Sequence, residues 1–112
     1  MESTEADNTE KRKHQRKQVR HLALVKIGSN LFGRGYTRDI SLTGMCLESV
    51  SIFRLIKPAR VNDILGLSIS AQFAESQLTV NGTVVRIDSQ KGETAVVVSD
   101  TTDNPLWESM CA

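Results

Sequence analysis

Leu31-Phe32-Gly33-Arg34-Gly35-Tyr36-Thr37-Arg38-Asp39-Ile40-Ser41-Leu42-Thr43-Gly44-Met45-Cys46-Leu47-Glu48-Ser49-Val50 reads as two strands joined by a short turn. Residues 31–40 form the first strand, loosened by Gly33 and Gly35. Residues 41–44 reverse the chain, because Ser, Thr and Gly favour turns. Residues 45–50 return as the second strand, with Cys46 inside it. The preceding segment, residues 21–27, alternates Leu22, Leu24 and Lys26 against Ala23, Val25 and Ile27. Period-2 alternation puts one of these sets in a core. Gly28-Ser29-Asn30 turns that strand back onto the quoted stretch. Closely spaced turns of this kind predict an antiparallel meander.

Working outward, residues 64–73, 78–87 and 93–99 read as three more strands. The chain is therefore all-β, with about six strands at the spacing of a small barrel or sandwich. Residues 51–62 resist assignment. They hold Ile52, Phe53, Leu55 and Ile56, but Pro58 breaks regular structure, and they read as a connection across one end of a barrel. After residue 102 the pattern changes. Asp103 or Asn104 can cap a helix and Pro105 suits its first turn. Leu106/Met110 and Trp107/Cys111 are i,i+4 pairs. A short C-terminal helix is expected, packed on the barrel through Trp107, since one or two turns do not persist alone.

The chain has 112 residues, enough for one domain with a thin core. Its 14 basic and 13 acidic residues nearly cancel, but their placement is uneven. Glu2, Glu5, Asp7 and Glu10 come first. Lys11, Arg12, Lys13, Arg16, Lys17 and Arg20 follow with no acid among them. The positive field is local to this segment. Residues 1–10 offer almost nothing to bury and are expected to be disordered. Residues 11–20 read as a flexible basic ligand-binding arm, and residues 21–112 as the domain. Cys46 and Cys111 lie in no C-x-x-C pair and apart from His14 and His21, which makes a zinc site unexpected and free thiols the natural reading. No apolar stretch is long enough to span a bilayer, and the acidic N-terminus lacks a signal-peptide pattern. A cytoplasmic protein without membrane insertion is expected.

Two motifs carry the functional signal. Arg12 and Arg16 form an R-x-x-x-R run in the arm. Guanidinium is permanently charged and planar; it can grip a phosphate, pair with guanine O6 and N7, or stack on a base. Asp39, Ser41 and Gly44 form D-x-S-x-x-G. The carboxylate can accept from the N1–H and N2–H₂ edge of guanine, the hydroxyl can donate or accept, and glycine permits positive φ or close approach of a ligand. Taken singly, the first motif is also a solvated basic stretch and the second ordinary turn chemistry. In this order, with a strand between them in a six-stranded β chain, they resemble the PilZ family of bacterial cyclic di-GMP receptors. Arg12 and Arg16 match its R-x-x-x-R motif; Asp39, Ser41 and Gly44 match every fixed position of its D/N-x-S-x-x-G motif.

The resemblance implies a six-stranded antiparallel β-barrel with a terminal helix. It implies cyclic di-GMP as ligand, no other cofactor, and an arm that closes over that ligand. Some members of the family set a large flat side chain against a guanine near the position of Arg86, which gives Arg86 a stacking role or leaves it a solvent-facing strand residue. With no second domain expected, output passes through an unidentified partner protein or through self-association. No nucleophile, metal cluster or acid–base pair can be named, so an enzyme is not expected. Nucleic acid is a weaker reading, because single-strand binders use aromatic platforms and this chain has few aromatics. A PilZ-fold interaction protein that binds no nucleotide is the other alternative.

Overall fold

The computed structural model describes residues 15–112. Seven strands and two α-helices account for most of them. β1 is Lys17–Gln18, β2 Leu22–Ile27, β3 Leu31–Ser41 and β4 Gly44–Glu48. Helix α1, Val50–Phe53, and a 3-10 helix, Pro58–Ile64, follow. β5 is Ser68–Phe73, β6 Thr79–Asp88, β7 Glu93–Thr101 and α2 Asn104–Cys111.

Six of the strands close a barrel in the order β3-β2-β5-β6-β7-β4, with β4 pairing back onto β3. Every pairing is antiparallel. The barrel is two three-stranded meanders, β2-β3-β4 and β5-β6-β7, zipped along two seams. One seam is β2–β5, running from Ala23↔Phe73 to Ile27↔Ile69. The other is β4–β7, running from Gly44↔Val97 to Glu48↔Glu93.

Alternation decides what fills the interior. β2 turns Ala23, Val25 and Ile27 inward and leaves Leu24 and Lys26 outside. Ile40, Met45, Leu47, Ile69, Phe73, Val80, Val84 and Val96 complete most of the core. The connection expected across one barrel end contains α1 and the 3-10 helix. Helix α1 lies so close to β3 that a Cβ on Gly33 would sit 2.7 Å from Ile52 Cγ1. The glycines that loosen the sequence pattern of β3 are thus what allow α1 to plug the barrel with Ile52.

The strand expected over residues 64–73 begins only at Ser68. Ile64 ends the 3-10 helix, and Gly66, at φ +84°, reverses the backbone between them. Leu65 and Leu67 consequently stay exposed. Their alternation with Ile64 mimics a strand, but the left-handed glycine breaks its register.

The C-terminal helix forms as the sequence predicts. The Asp103 carboxylate accepts from the Leu106 N–H at 3.1 Å, and Pro105 occupies the first turn. Trp107 is buried and meets Phe73 edge-on at 6.0 Å. No helix among the described residues is long and apolar enough to cross a membrane.

Candidate functional site

The basic arm does not stay clear of the barrel throughout. Lys17 and Gln18 pair antiparallel with Ile40 and Asp39 as β1, along the same edge of β3 that β2 occupies further on. Nothing apolar in Lys17-Gln18 signals this strand; backbone hydrogen bonds create it. The β1 and β2 registers on β3 differ by one residue, so residues 19–21 bulge. The Thr37 hydroxyl fills that bulge. It accepts from the His21 N–H at 2.9 Å and donates to the Val19 carbonyl. Thr37 is buried, and its hydroxyl satisfies two backbone groups that the bulge would otherwise orphan. Val19 packs on the core cluster. The arm is therefore tethered immediately after Arg16.

A second bulge aims Asp39. Thr37 pairs with Leu47 but Asp39 with Cys46, so β3 carries an extra residue at this point. In a regular strand Asp39 would share the inward face of Thr37. The bulge turns both Arg38 and Asp39 outward and restores Ile40 to the core. The carboxylate thereby avoids the cost of burial without a partner.

Arg16 joins the two sequence motifs. Its Nη1 donates to Asp39 Oδ1. Its Nη2 would lie 3.4 Å from a Cβ placed on Gly44. Gly44 does not have a positive φ, so its conformational freedom is not what the site uses. What it provides is space. The same Cβ would stand 3.2 Å from the Val96 carbonyl. Ser41 is buried beside it, and its hydroxyl donates to the Gly44 carbonyl at 3.3 Å. Arg16, Asp39, Ser41 and Gly44 thus form one cluster. Arg12 lies outside the described residues.

Gly44→Val is expected to cost about 1–3 kcal/mol through overpacking against β7 and to push Arg16 off the turn. Thermal melts and the arm's amide chemical shifts would register both effects. An unchanged melt and unchanged Arg16 environment would contradict this account of the glycine.

Arg86 sits on the same outer face. Val84 pairs with Val96 and Arg86 with Ala95, so a third bulge places Val85 and Arg86 both outward. Asp39↔Cys46, Cys46↔Ala95 and Ala95↔Arg86 then form one row across four strands. Three inter-strand steps make that row about 14 Å long. The two outward bulges stand at its two ends, a carboxylate at one and a guanidinium at the other.

Cys46 lies in the floor of this row. Burial pushes its thiol up to about 11, with the Glu93 and Asp39 carboxylates adding to the effect. Cys111 is also raised to about 11 by burial. Both are free thiols, and neither has the environment of an activated nucleophile. Arg38 pairs with Glu93 and Arg20 with Glu48 along the rim. A polar cleft of about 480 Å³ opens beside Asp39, lined by Gln18, Arg20, Arg38 and Glu48 among others. Arg20 also stacks over Tyr36 at 3.9 Å. Sequence reasoning gave Arg20 only a share in the arm's positive field and did not single out Thr37; both are set by the bulge at residues 19–21, which leaves no mark in composition.

Helix α2 supports both halves of the cluster. The Trp107 indole N–H donates to the Leu42 carbonyl inside the turn at 3.2 Å. Lys17 Nζ donates to the Met110 carbonyl at 3.3 Å. Among the described residues no group of three or more His, Cys, Asp and Glu side chains could hold a metal ion.

The PilZ domain family model matches residues 10–105 of the chain. No curated protein and no solved structure matches it.

Proposed function

The chain belongs to the PilZ domain family, and from that premise we propose that it is a receptor for cyclic di-GMP that changes shape on binding and signals through a partner protein. The observation that carries this reading is the contact of Arg16 with both Asp39 and the Gly44 turn. Arg16 of the first motif and the Asp39–Gly44 motif, far apart in sequence, meet on one outer face of the barrel.

The residues divide the work as follows. Arg12 and Arg16 hold phosphate or guanine O6 and N7 through charge-assisted bonds. Asp39 reads the N1–H and N2–H₂ edge; a carboxylate that already accepts from Arg16 keeps lone pairs for a second donor. Ser41 braces the turn through Gly44. Gly44 leaves room for Arg16 and for the ligand. Arg86, at the far end of the row, stacks on a base. The ion pair of Arg16 with Asp39 is half exposed and worth under about 1 kcal/mol. A dinucleotide can therefore displace or extend it at little cost. The arm, anchored at Lys17, closes over the ligand from that fixed point. No chemistry is assigned to the site; its groups bind and orient.

Calorimetric titration with cyclic di-GMP tests this directly, because it returns affinity and stoichiometry together. Asp39→Ala is expected to weaken cyclic di-GMP by about tenfold or more, the loss of a hydrogen bond to a charged group. The same variant should bind generic polyanions no worse, since the carboxylate repels phosphate. Equal losses for both ligands would point to a nucleic-acid site. No heat at millimolar cyclic di-GMP would leave a PilZ-fold interaction protein that binds no nucleotide.

A further inference from the structure

Further along β3 from the Arg16–Asp39 cluster, strands β2, β3 and β5 present a second outer surface. A groove of about 680 Å³ runs over it, larger than the cleft beside Asp39. Leu24 and Phe32 line it and are 54% and 58% exposed, unusually open for side chains of that size. Lys26 and Arg34 line it as well. The register sets these four in a checkerboard, with Leu24 opposite Arg34 and Lys26 opposite Phe32. Lys26 Nζ stands 5.6 Å from the centre of the Phe32 ring. Among the described residues no lining side chain is acidic. Neither cation has an ion-pair partner among the described residues.

The surface is also held rigid. The hydroxyls of Ser49 and Ser51 both donate to the Arg34 carbonyl, tying β3 to the start of α1. Barrel closure leaves β2, β3 and β5 paired along this face, so no strand edge is open for an added strand. A partner here must be read through side chains.

We propose that this face docks an acidic, extended segment of a partner protein that carries aliphatic or aromatic anchors between its carboxylates. Charge complementarity selects the acid: two cations with no ion-pair partner among the described residues sit within one groove. Leu24 and Phe32 select the anchors, because exposed apolar groups of this size gain most from burial. An extended chain sends every second side chain to one side. Acids and anchors alternating at that spacing meet the checkerboard of the groove. Docking here does not require Arg16, Asp39 or Arg86, none of which lines the groove, although strands β3 and β6 run through both surfaces.

The test uses the full chain and a fluorescein-labelled peptide, Ser-Glu-Ser-Leu-Ser-Glu-Ser-Phe-Ser. Fluorescence polarisation should show saturable binding, and amide shifts should map to Leu24, Lys26, Phe32 and Arg34. Lys26→Glu with Arg34→Glu should weaken the peptide at least tenfold, and Phe32→Ala about fivefold. Arg16→Ala should leave it unchanged. Melts of the variants should stay near wild type, because all three side chains are exposed. Binding unaffected by the charge reversal, shifts confined to Arg16 and Asp39, or no binding at millimolar peptide would each overturn the proposal. So would self-association that Phe32→Ala abolishes, which would make a second copy the occupant. Equal binding of single-stranded RNA, lost on the same reversal, would assign the face to nucleic acid. Loss of cyclic di-GMP binding with peptide binding retained would separate failure of the receptor reading from failure of this one.

Discussion

Saturating cyclic di-GMP should raise the melting midpoint by on the order of 10 °C, and Arg12→Ala with Arg16→Ala should erase that shift. A ligand that binds only the folded state stabilises it by about 2.7 kcal/mol at a hundredfold excess over Kd. For a domain of this size each kcal/mol moves the midpoint by roughly 4–8 °C. The ligand-free melt of the double variant should hardly move. Arg16 contributes one half-exposed ion pair, and the chain is tethered to β3 downstream of it by Lys17–Gln18 and by the Thr37 hydroxyl. GTP, GMP and cyclic di-AMP should shift the melt far less. The first two lack paired guanines, and the third lacks the O6 acceptor and N2 donor. Equal shifts with all four nucleotides would mean nonspecific anion binding. A double variant that melts much lower without ligand would mean the arginines support the fold.

Trp107→Ala should have the larger effect on the free protein. The indole is buried, packs edge-on against Phe73 and donates to the Leu42 carbonyl. Large aromatic truncations in a core cost about 3–5 kcal/mol, which corresponds to a fall of roughly 15 °C or more. Trp107→Phe separates packing from hydrogen bonding. It keeps most of the buried ring, loses the bond to Leu42 and should cost about 1 kcal/mol of that bond plus some packing. Because Leu42 lies between Ser41 and Gly44, the Phe variant should also weaken cyclic di-GMP severalfold. The measurement is a pair of melts with a titration. Trp107→Ala melting within about 5 °C of wild type would show that α2 is dispensable, and with it the brace under the turn.

Most of the barrel was legible because its strands obey simple alternation. Ala23, Val25 and Ile27 recur at period 2 and fill the interior. The turn glycines Gly28 and Gly92 stand at positive φ. Asp103 and Pro105 announced α2. Of the motif residues, the structure brings Arg16, Asp39, Ser41 and Gly44 together as one cluster.

The reason for Gly44 was not legible, since crowding by Arg16 and Val96 depends on partners distant in sequence. Nor were the bulges at residues 19–21, Arg38-Asp39 and Val85-Arg86. A bulge shifts parity by one residue, and Arg38-Asp39 or Val85-Arg86 look like ordinary strand pairs until their partners are known. Val85 is apolar and yet faces solvent, which defeats any periodicity rule. The strand Lys17–Gln18 was hidden for a related reason: an exposed edge pairing needs backbone groups and nothing from its side chains.

The two seams of the barrel have a consequence for how the chain reaches its native state. Within each meander, contacts span only short loops and can form early. Both seams join residues about fifty positions apart, such as Ala23 with Phe73 and Met45 with Val96. Closing such distances costs chain entropy before any contact rewards it. The slow step in refolding should therefore be the mating of two preformed halves, in milliseconds to seconds rather than microseconds. The residues 49–67 that link them set the encounter rate. Until the second seam shuts, each half exposes open strand edges, and that interval is when the chain is most exposed to aggregation.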